Sequence, residues 1–170
     1  MQAIINGYAK LLYGDKVLTK KQLATAKEQL ETISKLPKVL AIGVNKDNSL
    51  VLHTDLITIT PESKITYEIG HFQIIIDYRT KKSSWSTILF INKDRIIADT
   101  LAHPNCKICD NNGFGIPCLG NIEDLMYEAL RSRNFVLAAI LCLRFLESYH
   151  EGHDAFGYNI NVWPVYRKKE

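Results

Sequence analysis

Residues 99–120 read DTLAHPNCKICDNNGFGIPCLG, and the fold turns on what is made of them. Pro104, Pro117, Gly113, Gly115 and Gly120 interrupt any helical or strand periodicity, and Cys106, Cys109 and Cys118 lie among them. The stretch is therefore expected to be a long irregular segment, and loops of that length inside a compact domain usually carry function. Its flanks differ in kind. Upstream, runs rich in β-branched residues at 39–44, 50–60, 66–77 and 85–92 predict strands, with Asn48 turning the chain between the first two. Downstream, Ile122, Leu125, Ala129 and Leu130 fall on one helical face behind Asn121, a candidate N-cap, with Glu123 and Asp124 suited to the positive end of the dipole. Residues 135–149 then predict a second helix, apolar on nearly all sides, with Leu137, Ile140, Leu141 and Phe145 facing the core.

Before the strands, Thr19 and Gln22 have the spacing of a capping box, and Leu23, Ala26, Leu30 and Ile33 recur at helical intervals. That helix should run to Leu36, where Pro37 stops it. The order of helix, antiparallel meander, irregular loop and two helices reads as an α+β fold with helices packed on one sheet face. At 170 residues and without a Pro/Gly/Ser linker or repeat, the chain is expected to form one domain over 1–170, with an N-terminal extension at 1–17 and a C-terminal tail at 156–170.

Composition sets further bounds. With 46% hydrophobic and 23% charged residues the chain is no candidate for disorder or a coiled coil, and a net charge of +3 gives no warrant for nucleic-acid binding. The longest apolar run is interrupted by Arg144 and is too short for a bilayer, so no membrane association is expected. The first residues lack the pattern of a secretory signal, so the expected address is cytoplasmic. In that reducing compartment four cysteines are expected to bind metal, to react or to be buried, rather than to pair.

His103-Pro104-Asn105 followed by Gly115-Ile116-Pro117-Cys118-Leu119 resembles the active-site signature of the ubiquitin-conjugating enzymes, His-Pro-Asn and then Gly-x-x-Cys-Leu. Gly70-His71-Phe72 is similar to a Gly-x-Phe turn in that family's meander. The resemblance covers residues 19–155 and is specific only between His103 and Leu119. It departs from the family in three places. Fifteen positions separate His103 from Cys118, about five more than the family's usual spacing, and the surplus contains Cys106-Lys107-Ile108-Cys109. Leu119-Gly120 stands where the family has Leu-Asp. Residues 91–95 replace its proline-rich segment. The chain thus looks like a diverged prokaryotic or phage-type member of the ubiquitin-conjugating-enzyme-like (UBC-like) superfamily.

The resemblance implies a transferase that needs no cofactor. Its partners would be an activating enzyme and a ubiquitin-like protein, carried as a thioester on Cys118 and passed to an amine. Cysteine suits the task because it offers enough thiolate at neutral pH without a strong base. By the same resemblance Asn105 would stabilise the oxyanion or brace the loop. His103, with Pro104 and Gly115, would shape that loop. Asp154, with His150, Glu151 and His153, would help the incoming amine lose its proton.

The same residues carry plainer readings. His103, Cys106, Cys109 and Cys118 form one imidazole and three thiolates, a set able to hold zinc in competition with catalysis. Cys106 and Cys109 with His150 and His153 would instead leave Cys118 free. Asn105 by itself is a turn former beside proline, and the 150–154 cluster reads as solvated loop at the end of a helix. Cys142 reads as core, and His53 and His71 as ordinary strand residues. Trp163, Pro164 and Tyr166 would pack a tail back on the domain or present an aromatic patch to a partner. The contrasting function is therefore a non-catalytic binding or assembly module of the same fold, with a structural cysteine or zinc loop, such as a component of a bacterial or phage complex.

Overall fold

The computed structural model describes residues 1–77, 88–94, 101–108, 114–149 and 159–168. Two helices come first, α1 (Gln2–Tyr13) and α2 (Lys20–Ser34). At the start of α2, Thr19 Oγ1 accepts the Gln22 N–H at 3.2 Å, and the Gln22 side chain accepts the Thr19 N–H at 2.9 Å. Two donors that the helix itself cannot satisfy are thereby paired. Ala26, Leu30 and Ile33 form the buried stripe, and the helix stops at Ser34, ahead of the expected Leu36.

The strands are β1 (Val39–Val44), β2 (Leu50–Thr54), β3 (Ile57–Ile59), β4 (Tyr67–Gly70), β5 (Phe72–Ile76), β6 (Ile88–Asn92), β7 (Leu101–His103), β8 (Cys106–Ile108) and β9 (Gly115–Pro117). Seven of them form one antiparallel sheet in the order β1-β2-β5-β6-β9-β8-β7, while β3 and β4 pair separately. Register explains the core. Leu52 lies opposite Ile74 and Ile74 opposite Phe90, while Leu50, Ile76 and Ile88 make the neighbouring row. All six are essentially inaccessible and belong to one cluster with the buried residues of the helices. Because side chains alternate across a strand, this row fixes which face the helices cover.

Three expectations change here. The single strand expected over 50–60 is two strands in different sheets. The break is at Asp55, whose N–H donates to Lys38 O at 2.7 Å and whose Oδ1 accepts the Leu56 N–H at 2.7 Å. The run at 66–77 is also divided, by Gly70 at φ 141°. His71 therefore lies between strands, its N–H and Nδ1 both on Asp94 Oδ2, at 2.7 and 2.6 Å. The third change concerns 99–120, expected to be irregular: of its described residues, 101–103, 106–108 and 115–117 form β7, β8 and β9. Of the run expected over 85–92, residues 85–87 lie outside the described residues.

Residues 1–17, expected as an extension, supply a full structural element. Helix α1 buries Ile5, Tyr8, Ala9, Leu11 and Leu12. The Tyr8 ring meets Phe135 edge-on at 5.8 Å, and its hydroxyl donates to Gln29 Oε1 at 3.0 Å. Gly7 permits close approach to the sheet: a Cβ there would stand 3.2 Å from Val44 Cβ and Cγ1.

After β9 come a 3₁₀ turn (Gly120–Ile122), α3 (Glu123–Arg131) and α4 (Phe135–Glu147). Asn121 is inside that turn and does not cap α3, and Leu125 is half exposed while Met126 and Ala129 face inward. Asn134 caps α4 by accepting the Leu137 N–H at 3.1 Å. Helix α4 buries eight side chains, among them Leu141 and Phe145. Leu137 sits at the core margin, and Ile140 falls outside the core cluster. The C-terminal segment lies along β4, with Glu68 N–H donating to Pro164 O and Tyr166 N–H to Thr66 O, each at 2.8 Å. Trp163 is buried there, whereas Tyr166 is exposed. Among the described residues no helix is long and apolar enough to cross a membrane.

Candidate functional site

His103 ends β7, and its ring is completely buried. Nδ1 accepts the N–H of Asn105 at 3.1 Å, while Nε2 faces the carbonyl of Leu146, near the end of α4, at 2.9 Å. A carbonyl can only accept and an amide can only donate, so these partners assign the proton to Nε2 and the lone pair to Nδ1. Desolvation disfavours the imidazolium and outweighs the favourable Leu146 hydrogen bond, lowering the pKa from 6.5 to about 4. The ring is neutral at physiological pH. It packs 5.1 Å from Phe145 and 6.3 Å from Phe72, centroid to centroid. Both nitrogens are engaged within the fold, which makes His103 a latch between β7 and α4.

Pro104 and Asn105 make the turn from β7 into β8. The Asn105 carbonyl accepts the N–H of Cys118 at 2.9 Å. That contact spans the surplus residues that separate this chain from the family spacing. Strand β9 returns antiparallel beside β8, with Cys106 opposite Pro117 and Ile108 opposite Gly115, so the chain arrives back beside Asn105 at Cys118. The longer interval therefore does not carry the cysteine away from the His103 turn. Gly115 is needed for this packing, because a Cβ would collide with Cys106 Sγ and stand 3.0 Å from Phe90 O and 3.1 Å from Ala102 Cβ.

The three described cysteines differ sharply in setting. Cys118 is a free, exposed thiol just ahead of the 3₁₀ turn that leads into α3. Cys106 is buried against Gly115. Cys142 is buried in α4, where loss of hydration raises its thiol pKa far above the ordinary value and removes it from thiolate chemistry. Among the described residues, the side-chain amide of Asn105 has no hydrogen-bond partner and is half-buried beside the cysteine's turn.

Metal ligation fits His103 poorly. A ligating imidazole must present a lone pair, but Nδ1 uses its own for Asn105 and Nε2 bears the proton donated to Leu146. Among the described residues no three His, Cys, Asp or Glu side chains converge into a metal-binding group. Cys109, His150, Glu151, His153 and Asp154 lie outside the described residues. Two features of the site were not read from the sequence. The Leu146 partner is a backbone carbonyl, which no residue type announces. The other is Asn92, buried at the end of β6 with its side-chain N–H donating to Ala102 O of β7, which was detectable in principle as a polar residue at a strand position whose period calls for an inward side chain.

No family model, curated protein or solved structure matches the chain.

Proposed function

We propose that this chain is a ubiquitin-conjugating-enzyme-like carrier, loaded on Cys118 with a ubiquitin-like protein that it transfers to an amine. The observation that carries the reading is the Asn105 to Cys118 contact: the residue of an exposed thiol is held by backbone to an asparagine whose side-chain amide is uncommitted, on a turn latched by a buried neutral histidine. The α+β fold is compatible with it: α2 precedes the antiparallel run β1-β2-β5-β6, and the His103 turn and two helices follow, with α1, the β3-β4 pair and β7–β9 added to the order expected from the resemblance.

In the loading step, the Cys118 thiolate attacks the thioester carbonyl presented by an activating enzyme, and that enzyme's thiolate leaves. In transfer, an amine attacks the new carbonyl, the bond to Cys118 breaks and its thiolate is restored. Negative charge gathers on the carbonyl oxygen between these events, and an amide N–H aimed at it lowers the barrier. Asn105 supplies that group. The amine's proton passes to water or to one of His150, Glu151, His153 and Asp154, which follow α4 in sequence.

Incubation with an activating enzyme, its ubiquitin-like protein and ATP should give an adduct that thiol reductant cleaves. Cys118→Ser should leave a reductant-resistant ester or nothing, and Cys142→Ser should leave the adduct unchanged. An adduct indifferent to Cys118, or a folded protein whose Cys118 resists alkylation, would overturn the carrier reading in favour of a binding module.

A further inference from the structure

The strands that carry the site meet the rest of the sheet at β6. Unit β7-β8-β9 joins β6 through one residue pair among the described residues, Phe90 opposite Gly115. Two consecutive residues of β7 are also fastened to other elements by side-chain hydrogen bonds. His103 is tied to Leu146, as described above. Ala102, the residue before it, offers its carbonyl to Asn92 Nδ2 at 2.9 Å.

Asn92 sits at the end of β6 and is 8% exposed. Its carboxamide also donates to Ile69 O in β4 at 2.9 Å and accepts the Asp94 N–H on Oδ1 at 3.0 Å. Two acceptors on one side and a donor on the other determine which atom is nitrogen. Gly70 lies against the same group, where a Cβ would collide with Asn92 Oδ1. One side chain thus ties together the end of β4, the end of β6 and the middle of β7. Beyond it, Asp94 binds His71, whose Nε2 is 3.8 Å from Asp55 Oδ1.

We propose that Asn92 is the positioning residue of the site: by holding Ala102 it sets β7 so that the Asn105 carbonyl meets the Cys118 N–H. Asn92 touches no reacting atom and acts through β7. The inference uses the proposed carrier chemistry for one of its readouts and is independent of it in the other two. Asn92→Asp preserves shape but sets a carboxylate against the Ile69 and Ala102 carbonyls, and Asn92→Ala removes both donors. In each, the single-turnover rate of transfer from Cys118 to free lysine should fall roughly tenfold to a hundredfold, the range expected for a small displacement of a catalytic group. The concentration of activating enzyme giving half-maximal loading should stay unchanged.

Hydrogen exchange gives the second readout. The Asn105 and Cys118 amides should exchange at least tenfold faster in either variant, with the β2 and β5 amides unaltered. A third needs no variant and covers the case in which both fail to fold. In the unaltered protein, the Asn92 carboxamide protons and the Asn105 and Cys118 amides should open together as denaturant is raised. Separate openings, unchanged protection in a folded variant, or an unchanged transfer rate would overturn the role of Asn92. Absence of any thioester on the unaltered protein would sink the carrier reading while leaving the exchange results to decide this one.

Discussion

Acid should destabilise this protein through His103, and the size of the effect follows from its burial. The ring has a pKa of about 4 in the folded protein against 6.5 for the exposed side chain of an unfolded chain. Between those values the unfolded state binds a proton that the folded state refuses, so unfolding gains as pH falls. The contribution is fully present above pH 6.5, declines through the window and levels off near pH 4. At about 1.4 kcal/mol per unit, a depression of this size is worth roughly 3 kcal/mol across the window. His103→Gln retains a donor for Leu146 O but does not titrate. Losing the acceptor for the Asn105 N–H should cost that variant about 1–3 kcal/mol at pH 7. Urea unfolding of both proteins at intervals from pH 7.5 to about pH 4 separates the effects, because His53, His71 and the carboxylates are common to both. The variant's stability should fall less steeply below pH 6.5, so the gap between the two proteins should narrow with acid. A constant gap, or a wild type that gains stability on acidification, would refute a buried neutral His103.

Three further outcomes test the packing and the site. Leu141→Ala, which empties a buried position on α4, should cost about 2–5 kcal/mol in urea unfolding, and less than about 1 kcal/mol would remove α4 from the core. Gly115→Ala should destabilise by about 1–3 kcal/mol through its collision with Cys106 Sγ, and Cys106→Ala added to it should recover part of that loss. Any effect of one equivalent of zinc on the alkylation rate of Cys118 should be the same in the unaltered protein and in His103→Gln, since His103 has no nitrogen to lend. Zinc protection of Cys118 that is lost in His103→Gln would contradict the His103 hydrogen bonds.

What the sequence by itself determined is local. Thr19 and Gln22 are three residues apart and satisfy each other's backbone, so the start of α2 is written in a few letters. The apolar character of 135–149 marks a buried helix whatever its neighbours, and a polar-apolar alternation marks a strand wherever it pairs. The residues of the proposed site, His103 to Cys118, are likewise singled out by residue type. Pairing decided the rest, because its partners are remote. An alternating run over 50–60 does not say that its halves will join different sheets; that depends on Asp55 reaching Lys38 O. Strands of three residues such as β7, β8 and β9 carry too little propensity to be seen alone and exist through the neighbours they bond. Helix α1 lacks a side-chain cap and carries Gly7 at its centre, and its burial comes from Phe135, Gln29 and Val44. His103 is held by a carbonyl 43 residues away. Every residue has such a carbonyl, so only the tertiary structure could single out Leu146.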